Sequence, residues 1–286
     1  MNILHTIEGG MGSFSKGQRR IARYILDNPD KAAAMTASRL GELAQVSEST
    51  VVRFASEVGC DGYPGLQRAL QELLRSRLTA AQRFREADGQ FSHKDLLGTV
   101  VRSDREKLRQ LAAQADRTAF EDAVERVMKA RHVYILGVRS SSFVAGYLHF
   151  YLHLLREHVT LVQSNAAGEI FEQLFRVGPE DVMIAISFPR YSRVTVNTVQ
   201  FARDRGASII AVTDNSLSPV YPFSDTALLA PCEMISFIDS MVAPLSLVNA
   251  LLVALAHRMG TDASAVFSQL EDIWNEYGIF GRPEDE

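Results

Sequence analysis

Two kinds of hydrophobic periodicity divide this chain. From about residue 15 to 77, apolar residues recur every three to four positions, which gathers them on one face of a helix. From Arg131 onward, short and nearly continuous apolar runs alternate with helical stretches. In the first region Ser15 is placed to cap a helix with Ile21, Tyr24 and Ile25 on one face. Asn28-Pro29 ends it and opens a short helical turn, since proline is accepted at the first helical position. Thr36 can cap a third helix with Leu40, Leu43 and Ala44 inward. Ser47 can cap a fourth, whose apolar content is Val51, Val52, Phe54, Ala55 and Val58, and Gly59 suits a left-handed stop after it. Tyr63-Pro64-Gly65 opens a fifth, Leu66 to Leu74, so a five-helix head is predicted.

Residues 78–130 hold no strand-like run, and Ala87-Asp88-Gly89-Gln90 is the best linker candidate. Two helices are predicted after it, about Lys94–Gln114 and Thr118–Lys129. Strands are then predicted at His132–Leu136, Val159–Val162, Val182–Ser187, Ser208–Thr213 and Ala227–Leu229. The helices between them are Ser142–Leu155, Ala167–Phe175 and Ser192–Arg205. Apolar strands joined by helices imply a five-stranded parallel sheet covered on both faces, a doubly wound α/β fold behind an all-α head. The expected division is a helical head at 1–78, a linker and helical connector at 79–121, the α/β domain at 122–262 and a C-terminal tail at 263–286.

Composition refines this picture more by distribution than by total. The chain is 47% hydrophobic and 22% charged, ordinary for a soluble globular protein, with a net charge of -4. Residues 1–85 carry twelve Lys/Arg against eight Asp/Glu, and the rest carry eighteen against twenty-six. A mildly basic head on an acidic body excludes a protein that coats nucleic acid along its whole surface and fits local phosphate contact by the head. Cys60 and Cys232 are far apart, which suits a reducing cytoplasm. The N-terminus lacks the pattern of a signal peptide. The most apolar run, Met241 to Ala256, is interrupted by Pro244, Ser246 and Asn249, so a buried helix is expected rather than a membrane span.

The segment Thr36 to Gly59 reads as two short helices about a tight turn, the arrangement that presents a helix to the major groove of DNA. Reading base edges needs short polar groups in the first turn of that helix, and Ser47, Glu48, Ser49 and Thr50 occupy it, with Arg53 a turn later. Lys16, Gln18, Arg19 and Arg39 can lie along the phosphate backbone. Ser47 is equally readable as an N-cap, and Glu48 as a solvated acid favoured by the helix dipole. The DNA contacts expected are Lys16, Arg19, Arg39, Ser47, Ser49, Thr50 and Arg53.

At MTASRLGELA, VSESTVVRF and EVGCDGYPGLQRAL the chain resembles the RpiR family of bacterial regulators. The match falls on Ser47, Thr50, Val51, Arg53, Phe54, Val58, Gly59, Gly62 and Tyr63. The resemblance implies that the second half is a SIS domain, a fold that binds phosphosugars, and that the protein dimerises. A dimer places two recognition helices about 34 Å apart, or a multiple of that, on a (pseudo)palindromic operator.

Two loops carry the ligand chemistry. Gly137-Val138-Arg139-Ser140-Ser141-Ser142 follows a strand and opens a helix, where backbone amides and hydroxyls can meet an anion. Arg139 stands where the family usually has a second glycine, and its charge can either add to anion binding or block the backbone's approach. The second loop runs from Ser187 through Phe188, Pro189, Arg190, Tyr191, Ser192 and Arg193. Ser140, Ser141, Ser142, Ser187, Arg190, Ser192 and Arg193 are the expected ligand contacts, with a surface role the alternative for both arginines. By alignment with the family, Val194 occupies the position of a glutamate that moves protons in the isomerases. A valine cannot act as a general base, so the domain is expected to sense rather than convert. Glu169 and Glu233 are candidates for sugar hydroxyls or for salt bridges and caps.

His149 and His153 lie four apart with His158 nearby, but their core-like neighbours argue against a metal site, and no cofactor is expected. The leading expectation is a cytoplasmic transcriptional regulator that binds operator DNA and a sugar phosphate or sugar acid as a homodimer or tetramer, with no membrane partner. The alternative is a phosphosugar isomerase with an accessory helical domain.

Overall fold

The protein, described here from a computed structural model covering residues 3–77, 79–88, 95–163 and 167–280, begins with a helical head. Its helices are α1 (Ile3–Gly10), α2 (Lys16–Asp27), α3 (Pro29–Ala34), α4 (Ala37–Ala44), α5 (Glu48–Glu57) and α6 (Gly62–Arg77). Ser15 and Gln18 form a reciprocal capping box on α2, and the side chains of Thr36 and Ser47 cap α4 and α5. Gly59 has φ +80°. One core gathers Ile7, Phe14, Ile21, Ile25, Leu40, Val51, Phe54, Leu66 and Leu70, all nearly or fully buried. Burying a side chain such as Phe54 stabilises the head by about 1.5–3 kcal/mol. Tyr63 ties α6 to the α3–α4 connection by donating its hydroxyl hydrogen to Met35 O at 2.7 Å.

Two expectations are corrected here. The head has a sixth helix, α1, whose sequence signal is weak because it is short, ends in two glycines and buries little besides Ile3 and Ile7. Leu43 is not inward but 40% exposed, because α4 is so short that Ala37, Leu40, Gly41 and Ala44 already cover its packed face.

The connector continues as α7 (Ala80–Asp88) and α8 (Leu96–Gln114), the latter capped by Asp95. Helix α7 absorbs the first half of the linker candidate, while Gly89, Gln90 and Lys94 lie outside the described residues. Then come α9 (Arg117–Lys129), β1 (Val133–Gly137), α10 (Ser141–Leu155), β2 (Val159–Val162), α11 (Ala167–Gln173), β3 (Val182–Ile186), α12 (Arg193–Asp204), β4 (Ser208–Thr213), β5 (Thr226–Leu229), α13 (Val242–Met259) and α14 (Thr261–Glu276). The segment expected as a tail therefore carries most of α14.

The sheet is all parallel, in the order β2-β1-β3-β4-β5. Side chains alternate between two cores, as a doubly covered sheet requires. Val133, Ile135, Val182, Ile184, Ile210 and Val212 pack against α9, α10 and α13. Tyr134, Leu136, Met183, Ala185, Ile209 and Ala211 pack on the other side with Ile170, Val199 and Ala202. By length and composition α13 could cross a membrane, with a mean hydropathy of 1.5. It nevertheless buries Ala243, Leu247, Val248, Leu251 and Leu255 at helical spacing against the α/β domain.

Candidate functional site

The first candidate surface is the outer face of α5. Gln45, in a left-handed conformation with φ +52°, turns the chain between α4 and α5. The two helices meet at Gly41, where a Cβ would lie 2.9 Å from the carbonyl oxygen of Val46. Helix α5 buries Val51, Phe54 and Ala55 and exposes Glu48, Ser49, Val52, Arg53, Ser56 and Glu57. Its first turn is ordered locally: Ser47 Oγ accepts from Thr50 N at 3.3 Å and sits 2.9 Å from Ser49 Oγ and 2.8 Å from Thr50 Oγ1. Arg53 spends its Nε–H on Ser49 O at 3.3 Å. The start of α2 lies alongside, since Gly17 packs by Val46 and Thr50. Arg19 donates to Phe14 O at 2.8 Å, and Arg39 is exposed but paired with Glu42 at 2.6 Å. Two residues here escaped sequence reasoning. Val52, expected as apolar content of the helix, is 40% exposed, where it can meet a thymine methyl. Arg20 reaches Gln45 at 3.4 Å across the turn.

The second candidate is a cleft at the carboxyl ends of β1 and β3. In this strand order β2 is added on one side of β1 and β3 to β5 on the other, so the winding reverses between β1 and β3 and opens the crevice where doubly wound sheets bind ligands. Gly137 and Ile186 are paired in register, so the loops that follow them start side by side. The resulting cavity is about 410 Å3. It is lined on one side by Val138, Arg139, Ser140 and Ser141, and on the other by Ser187, Phe188, Pro189, Arg190, Ser192 and Thr195. Ser142 and Arg193 do not line it: Ser142 Oγ turns back to donate to Arg139 O at 2.6 Å.

Local sequence explains the loop shapes. A Cβ on Gly137 would sit 2.6 Å from Ser141 O and 2.7 Å from the Ala145 Cβ, so glycine is what lets α10 start directly over β1. Arg139 has φ +57°, so the arginine has taken on the left-handed conformation that glycine adopts more readily. The β3 loop is anchored by Tyr191, whose hydroxyl meets both carboxylate oxygens of Asp214, at 2.9 and 3.0 Å. Ser140 and Ser192 occupy the N-cap positions of α10 and α12, yet neither side chain makes a capping bond. This contrasts with Ser15, Thr36, Ser47, Asp95 and Asp116, whose side chains all cap their helices. Two helix N-termini thus meet the cleft with their hydroxyls unspent.

Val194 packs against the core that Ile170, Val199 and Ala202 share, and it does not line the cavity. Glu233 lines a neighbouring cavity of about 310 Å3, and Glu169 lines neither. The carboxylate that does line the cleft is Asp239, which the sequence did not single out. Its Oδ1 accepts from Arg83 Nη1 at 2.9 Å, and burial pushes its pKa up against the pull of that arginine. Arg83 and Asp239 are 156 positions apart, and no sequence pattern links them. Burial also pushes the Cys232 thiol well up, which keeps it protonated beside the second cavity. Among the described residues no cluster of three potential ligands could hold a metal ion; His149 and His153 stack with ring centres 5.3 Å apart.

Comparison with known proteins gives the two halves their kinship. Residues 1–77 match the helix-turn-helix domain of the rpiR family, and residues 127–254 match the SIS domain. The HTH-type transcriptional regulator HexR of Pseudomonas aeruginosa is 27% identical over 274 residues, 91% of each chain. The sugar isomerase domain of an RpiR transcription factor from Sphaerobacter thermophilus is 33% identical, covering 63% of this chain and 99% of that one, with a TM-score of 0.59. The NanR protein of Vibrio vulnificus, solved with ManNAc-6P, shares the fold along 98% of this chain and 100% of its own, at 22% identity and a TM-score of 0.57. With a helix-turn-helix head, a five-stranded parallel SIS sheet and these relatives, the chain belongs to the RpiR family of HTH-type transcriptional regulators.

Proposed function

We propose that this regulator is cytoplasmic, that a phosphorylated or acidic sugar bound between the β1 and β3 loops sets its affinity for operator DNA, and that the cleft holds this effector without converting it. The observation that carries the reading is the pair of uncapped helix N-termini facing one cavity, with Ser140, Ser141, Ser187 and Ser192 as hydroxyl donors and Arg190 and Arg139 as cations. Such a site favours an anion through backbone amides, helix dipoles and charge-assisted bonds together. Its size suits a monosaccharide phosphate. The absence of catalysis rests on Val194 at the position of the family's base, and on the pairing of Asp239 with Arg83. On the head, Ser49, Thr50 and Arg53 read the operator while Lys16, Arg19 and Arg39 hold its backbone. Exposed Phe143, Phe150 and Val253 support self-association as a dimer or tetramer.

The test is a melting-temperature screen of the full chain against sugar monophosphates and sugar acids, followed by gel shifts on DNA selected in vitro. A stabilising compound is expected to change DNA affinity. Arg190→Ala with Ser192→Ala should weaken that compound at least ~10-fold, since each charge-assisted hydrogen bond contributes about 1.5–3 kcal/mol. Turnover of any sugar phosphate by the purified protein would overturn the non-catalytic reading.

A further inference from the structure

Arg83 belongs to the connector helix α7, yet it lines the effector cleft of the α/β domain. Its side chain is 3% exposed, and its Nη1 donates to Asp239. Its Nε is buried and has no hydrogen-bond partner. A buried guanidinium donor left unmade is costly, and such a group calls for an acceptor that the free protein does not supply. The loop that carries Asp239 closes over the same end of the cavity. Met234 and Asp239 bridge it, Phe237 and Ile238 line the cleft, and the Phe237 ring lies 6.4 Å from that of Phe84 on α7. Ser240, next to Asp239, donates to Asp104 of α8 at 2.6 Å. The seryl loops line one part of the cleft and the Arg83–Asp239 pair another, with Arg190 close enough to act on the Asp239 carboxylate.

We propose that Arg83 and Asp239 together recognise the hydroxyl-bearing end of the effector, Arg83 Nε donating to one sugar oxygen and Asp239 accepting from a neighbouring sugar hydroxyl. This rests on the sugar-phosphate reading above and extends it to the far end of the molecule. A donor beside an acceptor matches a vicinal diol. The effector class is thus a sugar phosphate with adjacent free hydroxyls. Because α7 lies between the DNA-reading head and the sensor domain, a bound sugar touches the segment that joins them.

Isothermal titration of the full chain tests this with inorganic phosphate, glucose 6-phosphate, fructose 6-phosphate, ribose 5-phosphate, N-acetylmannosamine 6-phosphate and fructose 1,6-bisphosphate as probes. Arg83→Lys keeps a cation for Asp239 but removes the Nε donor. It should weaken the tightest-binding monophosphate by ~10-fold or more, the effect of one charge-assisted bond. The affinity for inorganic phosphate, which reaches only the seryl loops, should change by less than about twofold. Asp239→Asn should show the same selective loss and serves as the second variant should Arg83→Lys misfold. Variants that keep wild-type sugar affinity, or lose phosphate and sugar alike, overturn this inference while the sugar-phosphate reading stands. No binding of any probe to wild type overturns that reading as well.

Discussion

Single atoms decide how this chain can be built at its turns. Gly41 sits where α4 and α5 cross, and an added methyl group would meet a backbone carbonyl 2.9 Å away. Alanine at this position gains about 1 kcal/mol of helix propensity. Overpacking against a carbonyl that cannot rotate aside costs about 1–3 kcal/mol, so the clash wins. Gly41→Ala is accordingly expected to lower the unfolding temperature of the head by several degrees and weaken DNA binding, read by circular dichroism and gel shift. An unchanged melt would mean the turn relaxes without cost. Gly137 performs the same service for β1 and α10, and there the glycine was visible in the sequence as the opening of a loop motif. Arg139 is the opposite case. Its type is plain in the sequence, but its positive φ is imposed by the turn between β1 and α10.

Between elements, polar side chains lock helices to the sheet. Asp122 of α9 accepts from Arg126 at 2.6 Å and from the hydroxyl of Thr226 on β5, while Arg126 also donates to Ser208 on β4 at 2.8 Å. The Arg126 bond first, and the Thr226 bond second, hold the Asp122 pKa below its ordinary value. A carboxylate with a depressed folded-state pKa stabilises the fold above its unfolded pKa, and that contribution is lost as pH falls through the folded value. The relevant window lies below about pH 4, the usual range for aspartate. Asp122→Asn should therefore melt lower than wild type at pH 7, and the gap should narrow by pH 3. A gap that stays constant with pH would place the effect in packing rather than charge. The boundaries of α9 and β5 were close to legible from hydrophobic periodicity. The bonds that join them were not, because residues 122 and 226 become neighbours only when the sheet forms.

At the scale of the whole molecule the head and the sensor domain are separable in composition and joined in space. Each has its own core, and the head keeps the excess of basic residues. Leu217, from the loop after β4, nevertheless packs against the head core, and Arg68 of α6 shares a cavity with Asp214 and Glu233. Arg53 projects from the exposed face of α5, where its Nε–H donates to Ser49 O of the same helix. Arg53→Ala is therefore expected to abolish operator binding in a gel shift while leaving oligomeric state, by size-exclusion chromatography, and effector-induced thermal stabilisation unchanged. Retained DNA affinity would remove Arg53 from the reading face.

What this sequence determined by itself is local and periodic. Helical spacing, N-cap residues and apolar runs dictate the head, the strands and the loops that follow β1 and β3, because those signals act between residues a few positions apart. The motif around Ser47 to Tyr63 likewise carried the family, since its residues meet within one supersecondary unit. The tertiary structure alone decided which face of each element is solvent-exposed, so that Leu43 and Val52 turned outward. It also decided which loop residues share the cleft, including Ser141 and excluding Ser142 and Arg193. And it brought Arg83 of the connector to Asp239, whose meeting depends on how α7 crosses the sheet's carboxyl edge, a geometry encoded by the sum of all core contacts and by no short stretch of chain.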